Sequence, residues 1–360
     1  MEKYSEGKAV IEAGKAFLNP AAKLTRDIGV AVAKWMFSGK AYSVLDGTAA
    51  TGIRGIRYRK EGGAAEVAFV EMNMQAYRIL KKNLHANGLS DQAFNESFQE
   101  FANTSERRFD IVDLDPFGGI TPLAYDSIKV ARSGGAIFAT ATDTAVLCGA
   151  HYNACIRLYN AMPMHNELCK EAGMRILIGY MARIAAGFNF GIESMLSMAY
   201  KHYMRVHLKL AHGSKSALAS IRNLGFMSSC QKCGFVSYEE GIPEKLICPN
   251  CGAKMKVAGP LWLGRLKDEG LARYAYEFAE KNFPEDASFL AKIAGEFDTP
   301  LYYSIPALTK KLGRSSAKPS SIIDAIRNLG YKASLAHYDD EGIKTNAPFK
   351  VLLDELKNMP

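Results

Sequence analysis

Between residues 41 and 140, short apolar runs alternate with stretches of helical period. AYSVLD reads as a strand and IRGIRYRKE as the helix behind it. EVAFVEM is a second strand, followed by the amphipathic helix MQAYRILKKNLHANG, which Gly88 can cap. FDIVDLD is a third strand bounded by Pro116 and Gly118, PLAYDSIKVARSGG a helix that stops at its glycines, and AIFATAT a further strand. Strands and helices in this order, with the strands apolar throughout, predict an α/β fold. Its sheet is open, mostly parallel and covered by helices on both faces.

Beyond this block, residues 166–188 have a helical pattern. Within 192–210 the segment MLSMAYKHYMRVHLKL mixes aromatic and β-branched residues, and predicts antiparallel strands that close the sheet. Residues 226–258 are punctuated by cysteine, glycine and proline and carry little core of their own. Helical period then returns near residue 265. SIPALTKKLG and SSIIDAIRNLG read as two short helices and YKASLAHYDDEGIKTNA as a strand pair, the order of a winged-helix unit. The pattern divides the chain at 215/216. A first domain covers 1–215. A C-terminal α+β part covers 216–360, with the cysteine-rich segment at 226–258 and the winged-helix-like part at 285–348.

A length of 360 residues accommodates two or three domains, and 48% hydrophobic residues supply their cores. No apolar run approaches the roughly 20 residues of a membrane span. The opening MEKYSEGKAVIEAGK carries charges throughout, which predicts a soluble protein of the cytoplasm with no membrane association. The net charge of +8 favours a polyanionic partner, and without a polybasic run that charge must be gathered by folding.

Four of the seven cysteines form two CxxC pairs, Cys230 with Cys233 and Cys248 with Cys251. Each pair is followed by a glycine that permits a tight knuckle turn. Four thiolates at this spacing match a tetrahedral structural zinc with no open position for substrate. The segment from Leu45 through Asp46 and Gly47 to Gly52 ends a strand and opens a helix. Its small residues let backbone approach a ligand at a positive helix terminus. Glu71 closes the next strand, where an acid can accept hydrogen bonds from both ribose hydroxyls of a nucleoside. Asp113, Leu114, Asp115, Pro116, Phe117 and Gly118 end the third strand. An acid there can accept amine hydrogens, the proline stiffens the turn, and the aromatic can stack on a base. An Asp-Pro turn is common by itself, and its place at a strand end in this fold favours the functional reading. His151, His202 and His207 read as structural, the last two within an apolar segment.

Several segments together resemble one family. They are TRDIGV, DGTAATGIRGIRY, DIVDLDPFG, ATDTAVLCGAH, RILIGYMARIAA and GIKTNAP. They span residue 17 to about 348 and are similar to the archaeal tRNA (guanine-26-N2)-dimethyltransferase family. The resemblance implies a class I, Rossmann-like methyltransferase domain, S-adenosylmethionine as cofactor, and a C-terminal part that helps to hold tRNA. It implies Arg26 and Arg54 at the cofactor's methionine end, and Glu96 with Ser97 at its adenine. There the carboxylate would meet the exocyclic amine, and a backbone amide a ring nitrogen. Phe17 falls in the N-terminal motif that resembles the family's, here Phe17-Leu18-Asn19-Pro20, and Pro116 and Phe117 in its DPFG; these three are expected at the substrate. The expected reaction is attack of the exocyclic N2 of guanine-26 on the sulfonium methyl. Asp115 is the expected contact and proton acceptor of the amine, and Asp113 a residue that orients it. No obligate protein partner is implied. Two alternatives stand beside this reading: an adenine-N6 nucleic-acid methyltransferase, and a zinc-ribbon and winged-helix binding protein without activity.

Overall fold

The computed structural model describes residues 3–244 and 246–359. A hairpin of β1 (Lys3–Glu6) and β2 (Ala9–Glu12) precedes α1 (Lys23–Met36). The alternating part follows as β3 (Ser43–Asp46), α2 (Ile53–Arg57), β4 (Glu66–Val70), α3 (Met74–Ala86), β5 (Ala93–Phe94), α4 (Phe98–Thr104), β6 (Phe109–Leu114), α5 (Thr121–Lys129) and β7 (Ala131–Ala141). A π-helical turn over Tyr58–Gly62 extends α2. Helices α6 (Thr144–Leu147), α7 (Tyr152–Tyr159) and α8 (Cys169–Gly187) lead into the hairpin β8 (Phe190–Tyr200) and β9 (Tyr203–His212).

These strands form a seven-stranded sheet in the order β5-β4-β3-β6-β7-β9-β8. The first five are parallel, and β9 joins β7 antiparallel. The antiparallel closure expected from residues 192–210 is thus observed, and the fold is the class I methyltransferase architecture. His207 is buried on β9 and bonded to the Leu196 carbonyl, whereas His202 is exposed in the hairpin turn. Both faces of the sheet are covered. α4, α5 and α8 pack one face through Phe101, Ile128 and Ile178. On the other face, α1, α2 and α3 pack through Ile28, Ile56 and Leu80. α1 is buried along ten consecutive residues from Leu24 to Ala33 because it lies between that face and a later helix.

One helix ends earlier than its sequence pattern predicts. PLAYDSIKVARSGG is helical only to Lys129, and its last residues enter β7. The register steps from Phe109 opposite Ala131 to Ile111 opposite Ala136, so residues 132–135 bulge outward. Gly134 has φ 80°, and a Cβ on Gly135 would lie 2.5 Å from the Asp110 carbonyl oxygen. The glycines that look like a helix stop serve a strand bulge instead.

The chain continues through α9 (Ser214–Ile221), β10 (Leu224–Ser229), β11 (Val236–Glu240) and β12 (Lys256–Trp262), which pair as β11-β10-β12. Met227, Ala258, Leu261 and Trp262 of this sheet share the core under α8. Next come α10 (Glu269–Asn282) and α11 (Pro284–Gly295), whose Leu271, Ala275 and Leu290 join the core over α1. β13 (Tyr303–Ser304), α12 (Ile305–Lys311), α13 (Pro319–Asn328), β14 (Ala333–Ala336), β15 (Asp339–Thr345) and α14 (Phe349–Asn358) complete the fold. This last group is winged-helix-like, with its own apolar cluster centred on Ile305, Ile322, Ile343 and Leu352. It is tied to α8 by a buried ion pair of 2.9 Å between Lys344 and Glu171, which also accepts from Arg175 at 2.8 Å.

Candidate active site

The carboxyl ends of the parallel strands open on a cavity of about 730 Å³. After β3 the chain turns through Asp46, Gly47, Thr48, Ala49 and Ala50 into α2. Ala50 sits at φ 48°, in the left-handed region, which costs a non-glycine residue about 1 kcal/mol. The Glu71 carboxylate at the end of β4 holds it there, accepting the Ala50 amide at 2.8 Å and the Asn73 amide at 2.7 Å. Glu96 follows β5, and Asp115, Pro116 and Phe117 follow β6. Phe17 and Arg26 enter from the segment before α1 and from α1 itself. The cavity is lined by Phe17, Arg26, Asp46, Gly47, Arg54, Glu71, Glu96, Asp115, Pro116 and Phe117, all expected at the site. Phe17 and Phe117 stand exposed at its mouth, edge to face with ring centroids 4.4 Å apart.

Two expected residues do not open into the cavity. The Asp113 side chain is fully buried. Arg205 grips it with both terminal nitrogens, at 2.9 and 2.6 Å, and the Tyr58 hydroxyl donates to it as well. Burial pushes its carboxyl up, but Arg205 and Arg54 outweigh that and hold it below the usual range. Asp113 is a buried counter-ion to Arg205 and does not line the cavity, so the structure gives it no direct line to a substrate there. Ser97 is the N-cap of α4: its hydroxyl accepts the Glu100 amide at 3.2 Å, and its own amide donates to the Glu100 carboxylate at 2.8 Å. This capping box uses the Ser97 amide, so it is not free for an adenine nitrogen. The adjacent Phe98 lines the cavity and opens the first turn of α4, where backbone amides lack partners within the helix.

Asp115 is partly exposed and ion-paired with Arg54, and its own amide donates to the Thr48 hydroxyl at 2.8 Å. The guanidinium of Arg54 is buried at the cavity wall. One nitrogen, Nη2, serves Asp115 and the Thr25 hydroxyl; the other, Nη1, has no partner among the described residues. Arg26 is held by Glu6, with bonds of 2.7 and 2.5 Å, and by the Asn19 carbonyl. Asp46 accepts the Gly55 amide at 2.9 Å. Burial and the neighbouring Asp113 charge push its carboxyl up to about 7. Thr48, which lines the cavity, and Arg205 and Tyr58, which lie behind it, are partners of the two acids that sequence reasoning missed. Arg205 left a signal: an arginine inside an apolar central strand requires a buried partner.

The cavity fits S-adenosylmethionine. Its wall offers the Glu71 and Glu96 carboxylates as acceptors and Arg54 Nη1, unpartnered among the described residues, as a donor, the complement that a nucleoside bearing hydroxyls, an amine and a carboxylate requires. The four cysteine sulfurs likewise fit zinc. All lie within 4.8 Å of one another, against about 3.8 Å between ligands of an ideal tetrahedral thiolate site. In each knuckle the glycine amide bonds back to the first cysteine, Gly234 to Cys230 and Gly252 to Cys248, both at 2.9 Å. Gly234 and Gly252 have φ of 82° and 72°, the conformation for which glycine is suited.

A parallel sheet closed by one antiparallel strand, a glycine turn after β3, an acid after β4 and Asp-Pro-Phe-Gly after β6 define a class I S-adenosylmethionine-dependent methyltransferase. Known proteins specify the family. A sequence profile described as N2,N2-dimethylguanosine tRNA methyltransferase matches residues 2–357. The tRNA (guanine(26)-N(2))-dimethyltransferase of Thermococcus kodakarensis is 37% identical over 95% of this chain and 93% of its own length. That of Pyrococcus furiosus is 34% identical, over 98% and 97% respectively. The solved structure of Trm1 from Pyrococcus horikoshii in complex with S-adenosyl-L-methionine superposes with a TM-score of 0.91 at 33% identity, covering 99% of each chain. The chain belongs to the N2,N2-dimethylguanosine tRNA methyltransferase family. Membership sets aside both the adenine-N6 reading and the reading without activity.

Proposed function

We propose that this cavity transfers methyl groups from S-adenosylmethionine to the exocyclic N2 of guanine-26 in tRNA, giving the monomethyl and then the dimethyl base. The observation that carries the reading is the Asp115 carboxylate. It is ion-paired with Arg54, at the wall of a cavity whose mouth carries two exposed aromatic rings. Bound S-adenosylmethionine supplies an electrophilic methyl. Glu71 accepts the ribose hydroxyls, Glu96 accepts the adenine amine, and the Phe98 amide replaces that of Ser97. Arg26 and Arg54 border the methionine end, with Arg54 Nη1 as the free donor; Asp46 and Gly47 shape the loop beneath.

Guanine N2 is a weak nucleophile because its lone pair is delocalised into the ring. Asp115 orients the amine, accepts its hydrogen bond, and takes the proton as positive charge develops. A stacked, paired guanine cannot present N2 to a recessed acid, so the nucleotide is extruded. Phe17 and Phe117 receive the base, with Pro116 holding the turn rigid. The structural zinc on Cys230, Cys233, Cys248 and Cys251 braces the C-terminal part, which holds tRNA by phosphate and shape. Arg327, the one basic residue within α13, is exposed and has its Nε committed to the Ala333 carbonyl. That leaves little for base reading in a groove. The net charge of +8 matches a polyanionic substrate. The work is placed in the cytoplasm, with tRNA, and needs no protein partner.

Single-turnover methyl transfer to a tRNA transcript, read by mass spectrometry, tests the reading. Asp115→Ala should lose about a hundredfold to ten-thousandfold in rate while binding cofactor and tRNA. A rate within a few-fold of wild type would remove Asp115 from the chemistry.

A further inference from the structure

We propose that Arg205 and Tyr58 are positioning residues: by saturating Asp113, they leave Arg54 to Asp115 and so keep the Asp115 carboxylate aimed into the cavity. The proposal rests on the reading of Asp115 as the group that meets the amine. Two carboxylates compete for Arg54. Its Nε lies 3.7 Å from Asp113 Oδ1, beyond hydrogen-bond distance, while its Nη2 bonds Asp115. Asp113 is the fully buried one, and alone it would be the stronger claimant, because an uncompensated charge in a low dielectric attracts a cation far more than a partly solvated one does.

The geometry removes that competition. Arg205 reaches across from β9 and neutralises Asp113 with two bonds of 2.9 and 2.6 Å, steadied by a 3.0 Å bond to the Thr140 hydroxyl. The Tyr58 hydroxyl fills a third acceptor position. Tyr58 has room because residue 29 is glycine, where a Cβ would strike the phenol oxygen. Neither Arg205 nor Tyr58 lines the cavity. Without Arg205, Arg54 swings toward Asp113 and its tether on Asp115 is lost.

The test is single-turnover methyl transfer to a tRNA transcript at saturating cofactor by the full chain. The variants are Arg205→Met, the double variant Asp113→Asn/Arg205→Met, and Asp115→Ala, each with thermal unfolding measured in parallel. Arg205→Met should slow the chemical step about a hundredfold, the scale of a misplaced catalytic group. The double variant should recover about tenfold or more of that loss, because no buried charge then competes for Arg54. A merely structural role predicts that the double variant is as slow as Arg205→Met or slower, and that outcome overturns the proposal, as does a near-wild-type rate for Arg205→Met. Should Arg205→Met fail to fold, Tyr58→Phe decides. It removes one donor without changing charge and should slow transfer about three- to tenfold; an unchanged rate overturns the proposal. An active Asp115→Ala sinks the catalytic reading and this inference with it. An inactive Asp115→Ala beside fast Arg205→Met and Tyr58→Phe sinks only the inference.

Discussion

Replacing Glu6 with glutamine should destabilise the N-terminal half of the fold by about 3 kcal/mol at neutral pH. Glu6 lies on β1, buried, and accepts from Arg26 at 2.7 and 2.5 Å, from Arg57 at 2.7 Å and from the Tyr4 hydroxyl at 2.9 Å. Burial alone pushes its carboxyl up, but the two arginines outweigh that and bring it down to about 2 from an ordinary 4.5. By linkage, this displacement corresponds to about 3 kcal/mol. Breaking a buried ion pair by removing one partner typically costs about 3–5 kcal/mol, so two independent routes agree. The sign follows from the lowered value. The stabilisation is fully present above pH 4.5 and is lost as pH falls through about 2. Glutamine keeps the shape and one acceptor but leaves Arg26 and Arg57 short of a charge. Urea unfolding of both proteins at a series of pH values measures the difference directly. It should be about 3 kcal/mol at pH 7 and shrink toward pH 2 as wild-type Glu6 takes up its proton. A difference below about 1 kcal/mol at pH 7, or one that does not fall with acid, would refute the assignment of Glu6 as the charged hub of this cluster.

Glu71→Ala should weaken S-adenosylmethionine binding by about 1–3 kcal/mol in calorimetry, through lost bonds to ribose and a released Ala50 amide; unchanged affinity would place Glu71 outside the site. Cys248→Ser should lose zinc by metal analysis and lower the thermal stability of the C-terminal part, and full metal content would contradict the four-cysteine site. Phe117→Ala should reduce methyl transfer with cofactor affinity unchanged, since its ring stands at the mouth beside Phe17; the loss of a stacking partner is worth about 1–3 kcal/mol, read from kcat/KM for tRNA.

What was legible in the sequence is what short range dictates. Alternating apolar runs and helical stretches specify the succession of strands and helices along the chain, and small residues after a strand specify the loop at Asp46 and Gly47. Two CxxC pairs specify a metal site before any folding is considered. The capping box of Ser97 and Glu100 is equally local: a serine followed three residues later by a glutamate already commits the Ser97 amide to the helix start. The glycines at 134 and 135 look the same in a helix stop and in a strand bulge, and only the approach of the Asp110 carbonyl decides between them.

The division of labour between Asp113 and Asp115 could not be read locally. Residues two apart in a strand share a face, and both are acids at the end of one apolar run. β6 ends at Leu114, so Asp113 remains inside the sheet while Asp115 lies beyond it and turns to the cavity. What makes Asp113 a counter-ion is Arg205, 92 residues away on a strand that runs the other way. By itself the sequence determined which chemical groups were present and which loops would carry them. The tertiary structure decided which of those groups faced the cavity and which neutralised one another beneath it, because a buried charge takes its partner from across the sheet, wherever in the chain that partner lies.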